Sequence, residues 1–270
     1  MLKYRIITAL VLIPLVLLSM FYLPTTGFAI FSAIVLLLAN WEWAHLIGIT
    51  SRAGRVLYLV ALFFFLGCLL WIPTILVLTA ASITWLGMLY YVLRYENFAQ
   101  LWSHAKKLRM VLGIWLMGAC WYGLNSIINP PYGPYYLLLL FLFVWGADTG
   151  AYFIGKYYGK HKLAPTISPG KSIEGVVGGV ITSLFIAALG NWFFGKHFIT
   201  PYVNLFLLAL VTSLVSVLGD LSESMIKRQA AVKDSGNLLP GHGGVLDRMD
   251  SLLSTAPVFA LMLWIGHLTL

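Results

Sequence analysis

The chain has 270 residues, of which 60% are hydrophobic and only 10% charged, and its 17 Lys and Arg outnumber its 9 Asp and Glu. Soluble domains carry about 25% charged residues, so this chain lacks the polar residues to cover a surface that faces water. With a mean hydropathy of +0.90, it is expected to be an integral membrane protein and not a soluble, disordered or fibrous one.

Nine apolar stretches are long enough to form helices that cross a bilayer, whose hydrocarbon core needs about 20 apolar residues per helix. In chain order they are 5–23, 26–47, 56–72, 74–93, 110–128, 135–155, 173–194, 202–226 and 252–270. Breaks rich in Pro, Gly and Asn separate several of them, most plainly at 129–134. The sequence therefore predicts an all-α, polytopic membrane protein with about nine transmembrane helices.

A single membrane domain is expected over 1–270, because a membrane protein grows by adding helices to one bundle. The first four spans lie in 1–109, and the sequence assigns them no role. The later spans, in 110–270, are expected to be catalytic, with two polar cytoplasmic connections at 156–171 and 227–250.

The positive charges alternate along the chain. Sixteen of the 17 Lys and Arg lie before the first span or in every second connection, and only Lys196 lies on the other side. Since cytoplasmic loops are enriched in Lys and Arg, the N-terminus is predicted to be cytoplasmic and the C-terminus outside. All nine acids lie in the cytoplasmic connections or the adjoining ends of spans, so a charged substrate is expected to bind from the cytoplasm.

Asp148 lies inside the sixth span, about two turns before its cytoplasmic end, and is flanked by Gly146, Ala147 and Gly150. An ionised side chain within the bilayer is unfavourable, so such an acid is normally paired or functional. A structural ion pair is one interpretation. The small neighbours leave room for a ligand or ion and favour the functional one.

The connection 156–171 carries four lysines and leads into Ser168-Pro169-Gly170-Lys171-Ser172. Its end is similar to the end of a P-loop, but Pro165 stands where that motif requires Gly, so the motif is rejected. A cationic turn that opens a helix remains, and its free N–H groups and Lys171 could hold phosphate. Alternatively, these lysines only set the topology.

The eighth span ends in a polar stripe: Asp220, Glu223, Ser224 and Lys227 follow the spacing i, i+3, i+4 and i+7, which places them on one helix face. Acids followed by a cation could hold a metal ion and a phosphate side by side. A pair of salt bridges within the helix is the alternative.

A glycine-rich turn follows, in which Gly241, Gly243 and Gly244 let the backbone approach a bulky anion and His242 is a candidate ligand contact. Asp247 follows the turn after two intervening residues, and Asp250 lies three residues further on. At this spacing, i and i+3, both could offer carboxylate oxygens to a divalent ion. Arg248 between them could bind phosphate with two hydrogen bonds. Carboxylates, cations and glycines in one short connection indicate a site for a nucleotide–metal complex.

Residues 224–250 resemble the signature of the phosphatidate cytidylyltransferases, also called CDP-diacylglycerol synthases. Its fixed parts are a Ser before Lys-Arg, then Lys-Asp, then Pro-x-His-Gly-Gly and finally Asp-Arg, a hydrophobic residue and Asp, and this chain carries all of them. The stretch 168–175 is similar to a second block of the family, although Gly170 stands where Lys is more usual. The strong resemblance covers roughly 143–250.

The resemblance implies transfer of CMP from CTP to phosphatidic acid, which yields CDP-diacylglycerol and pyrophosphate in phospholipid biosynthesis. Mg²⁺ is the implied cofactor, with a monovalent cation such as K⁺ as an optional second ion. The expected location is the plasma (inner) membrane of a bacterium, with the active site facing the cytoplasm. Membrane lipids are expected partners, nucleic acid is not, and a homodimer is left open.

The expected site residues fall into three groups. We assign a catalytic role to Lys227, Arg228, Lys233, Asp234 and Arg248. Substrate binding is assigned to Ser168, Lys171, Ser224, Gly241, His242, Gly243 and Gly244. Metal binding is assigned to Asp148, Asp220, Asp247 and Asp250, with Asp220 and Asp247 as the principal ligands.

Two rival functions remain at this point. A CTP-dependent lipid kinase would also need cytoplasmic cations and a metal, but its alcohol acceptor would require a general base. A phospholipid or anion transporter would need polar groups near the middle of the bilayer and an outward gate, whereas here the polar groups crowd on one side.

Overall fold

The computed structural model describes residues 2–97, 99, 105–194 and 204–268, and most of these are helical. Nine long helices lie within these ranges: α1 (Leu2–Tyr22), α2 (Thr25–Leu46), α3 (Arg52–Leu69), α4 (Thr74–Leu93), α5 (Lys106–Ile128), α6 (Gly133–Tyr158), α7 (Ile173–Phe194), α8 (Leu205–Gln229) and α9 (Leu246–Leu268). Of the helices described, eight are long and apolar enough to cross a membrane, and the apolar stretch of α1, Thr8–Tyr22, is shorter. The predicted all-α polytopic membrane protein is confirmed.

Large apolar side chains cover the outside of this bundle. Leu57, Phe63, Ile83 and Phe185 are each more than 60% exposed. Contiguous apolar surface of this kind is unfavourable in water and favourable against lipid tails. The helices therefore pack around a buried core and present a second apolar surface outward.

Several helices run past the ends of the apolar stretches that predicted them. The eighth helix continues through Lys227 and Arg228, and α9 begins at Leu246, six residues before the predicted span. A helix need not end where lipid ends, and cations in a last turn are favourable at the negative end of the helix dipole. The predicted limits at 202 and 270, and Lys196, lie outside the described residues.

A small β-hairpin occupies the connection for which the sequence predicted only a cationic turn. Strands β1 (Lys162–Ala164) and β2 (Ser168–Ser172) pair antiparallel, with Lys162 opposite Ser172. At its base, the carboxylate of Glu174 accepts bonds from the backbone N–H groups of Lys160 and His161 and lies 2.6 Å from Nδ1 of the His161 ring. The hairpin is thereby fixed to the start of α7.

One end of the bundle gathers the N-terminal ends of the odd-numbered helices and the C-terminal ends of the even-numbered ones. Near that end, Thr8 Oγ1 donates to Pro240 O (2.9 Å), Trp43 Nε1 to Arg109 O (3.1 Å) and Lys106 Nζ to Gly48 O (2.8 Å). We call it the charged end. The alternation of charge in the sequence thus corresponds to one end of the folded chain.

Glycines bring α6 and α7 into close contact. A Cβ at Gly179 would lie 2.7 Å from Ala147 O, and a Cβ at Gly150 would lie 2.7 Å from Gly178 O. Small residues of this kind let membrane helices approach closely enough for backbone contact. This packing fixes the part of α6 that carries Asp148 beside the start of α7.

The helices α8 and α9 are joined by small polar side chains. Ser254 Oγ donates to Val215 O (2.8 Å), Ser251 Oγ lies 3.3 Å from Ser216 O, and a Cβ at Gly219 would lie 2.5 Å from Asp250 O. As a result, the acid-bearing segments of α8 and α9 lie side by side at the charged end.

Candidate active site

An ion pair links the hairpin to α8. The ammonium of Lys171 on β2 lies 2.6 Å from Oδ2 of Asp220, and both side chains are partly exposed. One turn later, the hydroxyl of Ser224 lies 3.2 Å from the other oxygen of Asp220, to which it donates a hydrogen bond. Two motifs that are about 50 residues apart in the sequence therefore meet in one place.

Beside this pair lies a cavity of about 280 Å³ between α6, α7, α8 and the hairpin. Asp148 lies on its wall, and the small residues Gly175 and Gly179 leave the space open. No direct ion pair among the described residues includes Asp148. Its carboxylate interacts at longer range with Asp220, Lys171 and Arg248. This arrangement favours the functional interpretation of Asp148 over a structural ion pair.

Deeper between α8 and α9, one lysine is held by two carboxylates. The ammonium of Lys227 lies 2.5 Å from Oε2 of Glu223 and 2.8 Å from Oδ1 of Asp247. The side chains of Glu223, Asp247 and Lys227 are only 2%, 6% and 14% exposed. Opposite charges are strongly attracted where water is excluded. The intrahelical salt bridge considered for the stripe thus exists between Glu223 and Lys227, whereas Asp220 pairs with the hairpin.

The glycine-rich turn folds around the carboxylate of Asp247. The backbone N–H of Gly244 donates to Oδ2 (2.7 Å), and that of Ser235 donates to the same oxygen (3.0 Å). Gly241 and Gly243 have φ values of +75° and +80°, which only glycine adopts without strain. A Cβ at Gly243 would also lie 2.6 Å from Oδ2 of Asp247. The turn is therefore already bound to an anion, the side chain of Asp247.

The other predicted cations lie around this centre. The guanidinium of Arg248 donates from Nε and Nη2 to the carbonyl oxygen of His242 (3.2 and 3.1 Å), and its side chain is exposed. Arg228 donates from Nε to the carbonyl oxygen of Ile167 at the tip of the hairpin (3.1 Å). Lys233 is exposed on the connection before α9. Each could turn toward a phosphate without leaving a buried charge unpaired.

Comparison with known proteins gives a consistent result. The sequence model of the cytidylyltransferase family matches residues 3–266. The chain belongs to the cytidylyltransferase family. Since a cytidylyltransferase is a nucleotidyltransferase, the chain is an enzyme of that class.

Among similar proteins, the phosphatidate cytidylyltransferase of Pseudomonas aeruginosa is 44% identical over 98% of this chain and 97% of its own. That of Haemophilus influenzae is 37% identical over 96% and 98%. That of Bacillus subtilis is 43% identical over 54% of each chain. The similarity to the first two relatives includes the early helices as well as the signature at 224–250.

The carboxylates of this cytidylyltransferase suit a hard cation that is bound together with substrate. Among the described residues, no three Asp, Glu, His or Cys side chains form a group that could hold a metal ion. Mg²⁺ commonly takes one or two carboxylates together with substrate phosphates, so such a group is not required. Asp148 and Asp220 line the cavity, both interact electrostatically with Asp250, and all three offer only oxygen atoms as ligands. Asp247 is already bound to Lys227 and two N–H groups.

The remaining predicted residues are placed as follows. Ser168 begins β2 and is half-buried, and Asp234 is exposed beside Lys233. His242 is half-buried in the turn. The fold thus brings Lys171 and Ser224 to Asp220, and Lys227 to Asp247. It leaves Lys233 and Asp234 at the surface.

Sequence reasoning missed Glu42. This residue lies on α2, outside the signature, and is only 3% exposed. Its Oε2 accepts hydrogen bonds from Ser235 Oγ (3.1 Å) and Leu246 N (2.8 Å) at the edge of the candidate site. An acid between Trp41 and Trp43 inside an apolar span was a usable signal, because a buried carboxylate in a membrane helix needs a partner.

Proposed function

We propose that this cytidylyltransferase transfers CMP from CTP to phosphatidic acid, giving CDP-diacylglycerol and pyrophosphate. The observation that carries the proposal is the match, along nearly the whole chain, with proteins named phosphatidate cytidylyltransferases. The cavity beside Lys171 and Asp220 supports it, because cations and carboxylates together suit a phosphate group and its counter-ion.

Binding of the substrate phosphates is assigned to five cations of the chain. Lys171 and Arg248 interact electrostatically with Asp148, and an incoming phosphate would compete with Asp220 for the ammonium of Lys171. Arg228 and Lys233, at the rim, would contact the more distant phosphates. Lys227 is buried between two acids, so its contribution would be to fix the site and to offset part of their negative charge.

Mg²⁺ would be held by Asp148, Asp220 and Asp250. Asp247, expected from the sequence as a principal ligand, would lie beside them, because its oxygens already accept from Lys227 and two N–H groups. A bound divalent ion would neutralise charge on the α-phosphate and on the leaving pyrophosphate. Asp247 also holds the glycine-rich turn and Lys227 in position, which is a role of its own. A second, monovalent ion such as K⁺ remains part of the proposal.

The reaction needs no general base from the protein. The phosphate oxygen of phosphatidate is already an anion and attacks the α-phosphorus of CTP in line, while the bond from that phosphorus to the pyrophosphate oxygen breaks. The chain's part is to align the two phosphates and to stabilise the charge that develops on the leaving group.

An apolar groove supports a lipid substrate. It has a volume of about 810 Å³ and lies between α4, α8 and the hairpin. Val176 and Val217 line both this groove and the polar cavity, so the two spaces adjoin. The acyl chains of phosphatidate would lie in the groove while its phosphate reaches Lys171.

The proposed topology has nine spans, a cytoplasmic N-terminus and an outside C-terminus, in a bacterial plasma membrane. Support comes from the gathering of helix ends at the charged end and from the alternation of 16 of the 17 cations in the sequence. CTP is a cytosolic nucleotide, so an active site at this end must face the cytoplasm.

The experiment that tests the function uses the purified chain in detergent micelles with phosphatidate, Mg²⁺ and labelled CTP. Label in the α-phosphate should enter the lipid, and label in the γ-phosphate should leave as pyrophosphate. A lipid kinase would instead place the γ-label in the lipid and release CDP. A transporter would leave both labels in CTP, and either result would contradict the proposal.

A further inference from the structure

Glu42 is a buried acid on α2, and the proposed reaction assigns no role to it. Its side chain is only 3% exposed, and one of its oxygens, Oε1, has no hydrogen-bond partner among the described residues. A buried carboxylate in a membrane helix is unfavourable, so it normally has a structural or functional role. The contacts of its other oxygen, Oε2, indicate the role of Glu42.

The second oxygen caps a helix that belongs to the catalytic half of the chain. Oε2 accepts from the backbone N–H of Leu246, the first residue of α9, at 2.8 Å. The first N–H groups of a helix have no partner within it, and negative charge is favourable at that end. The helix α9 carries Asp247 in its first turn and Asp250 in the next. Glu42 therefore caps the helix that presents these two acids, from a position 204 residues away in sequence.

The connection before α9 is also shaped around this carboxylate. Ser235 Oγ donates to Oε2 at 3.1 Å. A Cβ at Gly236 would overlap Oε1, and a Cβ at Gly244 would overlap both Oε2 and the hydroxyl of Ser235. Both glycines thus have a steric reason to be glycine that is independent of any substrate.

We propose that Glu42 is a positioning residue of the active site, which holds Ser235, Gly244 and the start of α9 so that Asp247 receives its N–H donors and reaches Lys227. The inference rests on the proposed function for its kinetic test. This proposal assigns a structural role in the active site to one of the early helices in 1–109, for which the sequence predicted no role.

The test compares three variants of the full chain in detergent. Glu42→Ala removes both accepted hydrogen bonds. Glu42→Gln can keep both, because its amide oxygen can replace Oε2 while its NH₂ group replaces the unpartnered Oε1. Asn40→Ala is the matched control, since Asn40 is a fully buried polar residue on the same helix that faces α3, where its Nδ2 is 3.5 Å from Tyr58 O.

We expect Glu42→Ala to lower kcat/KM for CTP at least tenfold and Glu42→Gln to stay within threefold of the wild type. Asn40→Ala should lower the unfolding temperature about as much as Glu42→Ala but keep kcat/KM within threefold. The inference is overturned if Glu42→Ala keeps wild-type kcat/KM, if Glu42→Gln loses as much as Glu42→Ala, or if Asn40→Ala loses as much as either.

A second readout does not need activity. Trypsin should cleave after the exposed Lys233 several times faster in Glu42→Ala than in the wild type, Glu42→Gln or Asn40→Ala, because the connection has lost its anchor. Equal cleavage rates in all four proteins would overturn the inference. Faster cleavage without any lipid product in the wild type would support the anchor and refute the proposed function.

Discussion

Lys227 and Asp247 join α8 to α9 in the interior, with Nζ 2.8 Å from Oδ1, and Glu223 completes the group. Two acids share one cation, so the charge of the lysine is required by both. The exposed pair of Lys171 and Asp220 differs, since each partner can also be solvated.

This difference predicts unequal effects on stability. Replacing Lys227 by Met leaves two buried carboxylates without a counter-charge, and breaking a buried pair in this way costs about 3–5 kcal/mol. Replacing Lys171 by Met removes a partly exposed pair, which is worth about 0–1 kcal/mol. Thermal unfolding in detergent should show a large drop for Lys227→Met and a small one for Lys171→Met. Equal drops would contradict the burial argument.

Asp220→Asn should remove nearly all transfer of CMP, because the amide is a poor ligand for Mg²⁺ and no longer opposes the charge of Lys171. The expected loss in kcat is on the order of a hundredfold, as for essential groups that stabilise a transition state. Expression and unfolding temperature should stay close to wild type, because the side chain is partly exposed. Normal turnover at limiting Mg²⁺ would refute the assignment.

Arg248→Lys keeps the positive charge but loses the planar fork that binds phosphate with two hydrogen bonds. We expect kcat/KM for CTP to fall about tenfold, in line with the loss of one charge-assisted hydrogen bond. Arg55→Lys is the control, because Arg55 bonds Ile49 O at the charged end, away from the site. If Arg248→Lys and Lys171→Ala both kept wild-type kcat/KM, these cations would only determine the orientation of the chain in the membrane.

Leu214→Trp should fill part of the apolar groove, which Leu214 lines, and raise the KM for long-chain phosphatidate without changing the KM for CTP. The matched control is Leu207→Trp, two turns earlier on α8, where the side chain is about equally exposed but does not line the groove. The KM for phosphatidate with short acyl chains should change less. Equal effects of the two variants would show that the groove holds no substrate.

The charged end can be located by labelling. A cysteine at Ser224, in a chain with Cys68 and Cys120 replaced by Ala, should react with a membrane-impermeant thiol reagent only from the cytoplasmic side, with protection by CTP and Mg²⁺. A cysteine at Asn191, at the other end of α7, should react only from outside. Labelling of the first from outside would overturn both topology and site. Ser235 is unsuitable for this purpose, because it is buried.

The parts of the site that follow local spacing could be read from the sequence. The four-residue spacing of Glu223 and Lys227 predicted one helix face, and the two side chains pair there. The glycines of the turn were expected to let the backbone approach a bulky anion, and for a substrate this stays a prediction. The anion that they approach in the structure is the Asp247 side chain, which the pattern alone did not indicate.

Contacts between distant segments could not be predicted in this way. Nothing periodic connects Glu42 with Leu246, and the pairing depends on how α2 packs near α9. The hairpin was missed because Pro169 and Gly170 in β2 are poor strand formers. Its formation is what carries Lys171 to Asp220, so the partner of that acid could not be inferred from α8.

The ion pair of Lys171 and Asp220 should favour ligands that carry both signs of charge. An anion that arrives alone can take Lys171 but leaves Asp220 unpaired, and a cation that arrives alone does the reverse. A ligand that carries both charges satisfies both partners at once. Because each partner can also be solvated, the preference should be modest, about 0–1 kcal/mol, and it should favour a nucleotide that enters with its counter-ion over phosphate or a metal ion alone.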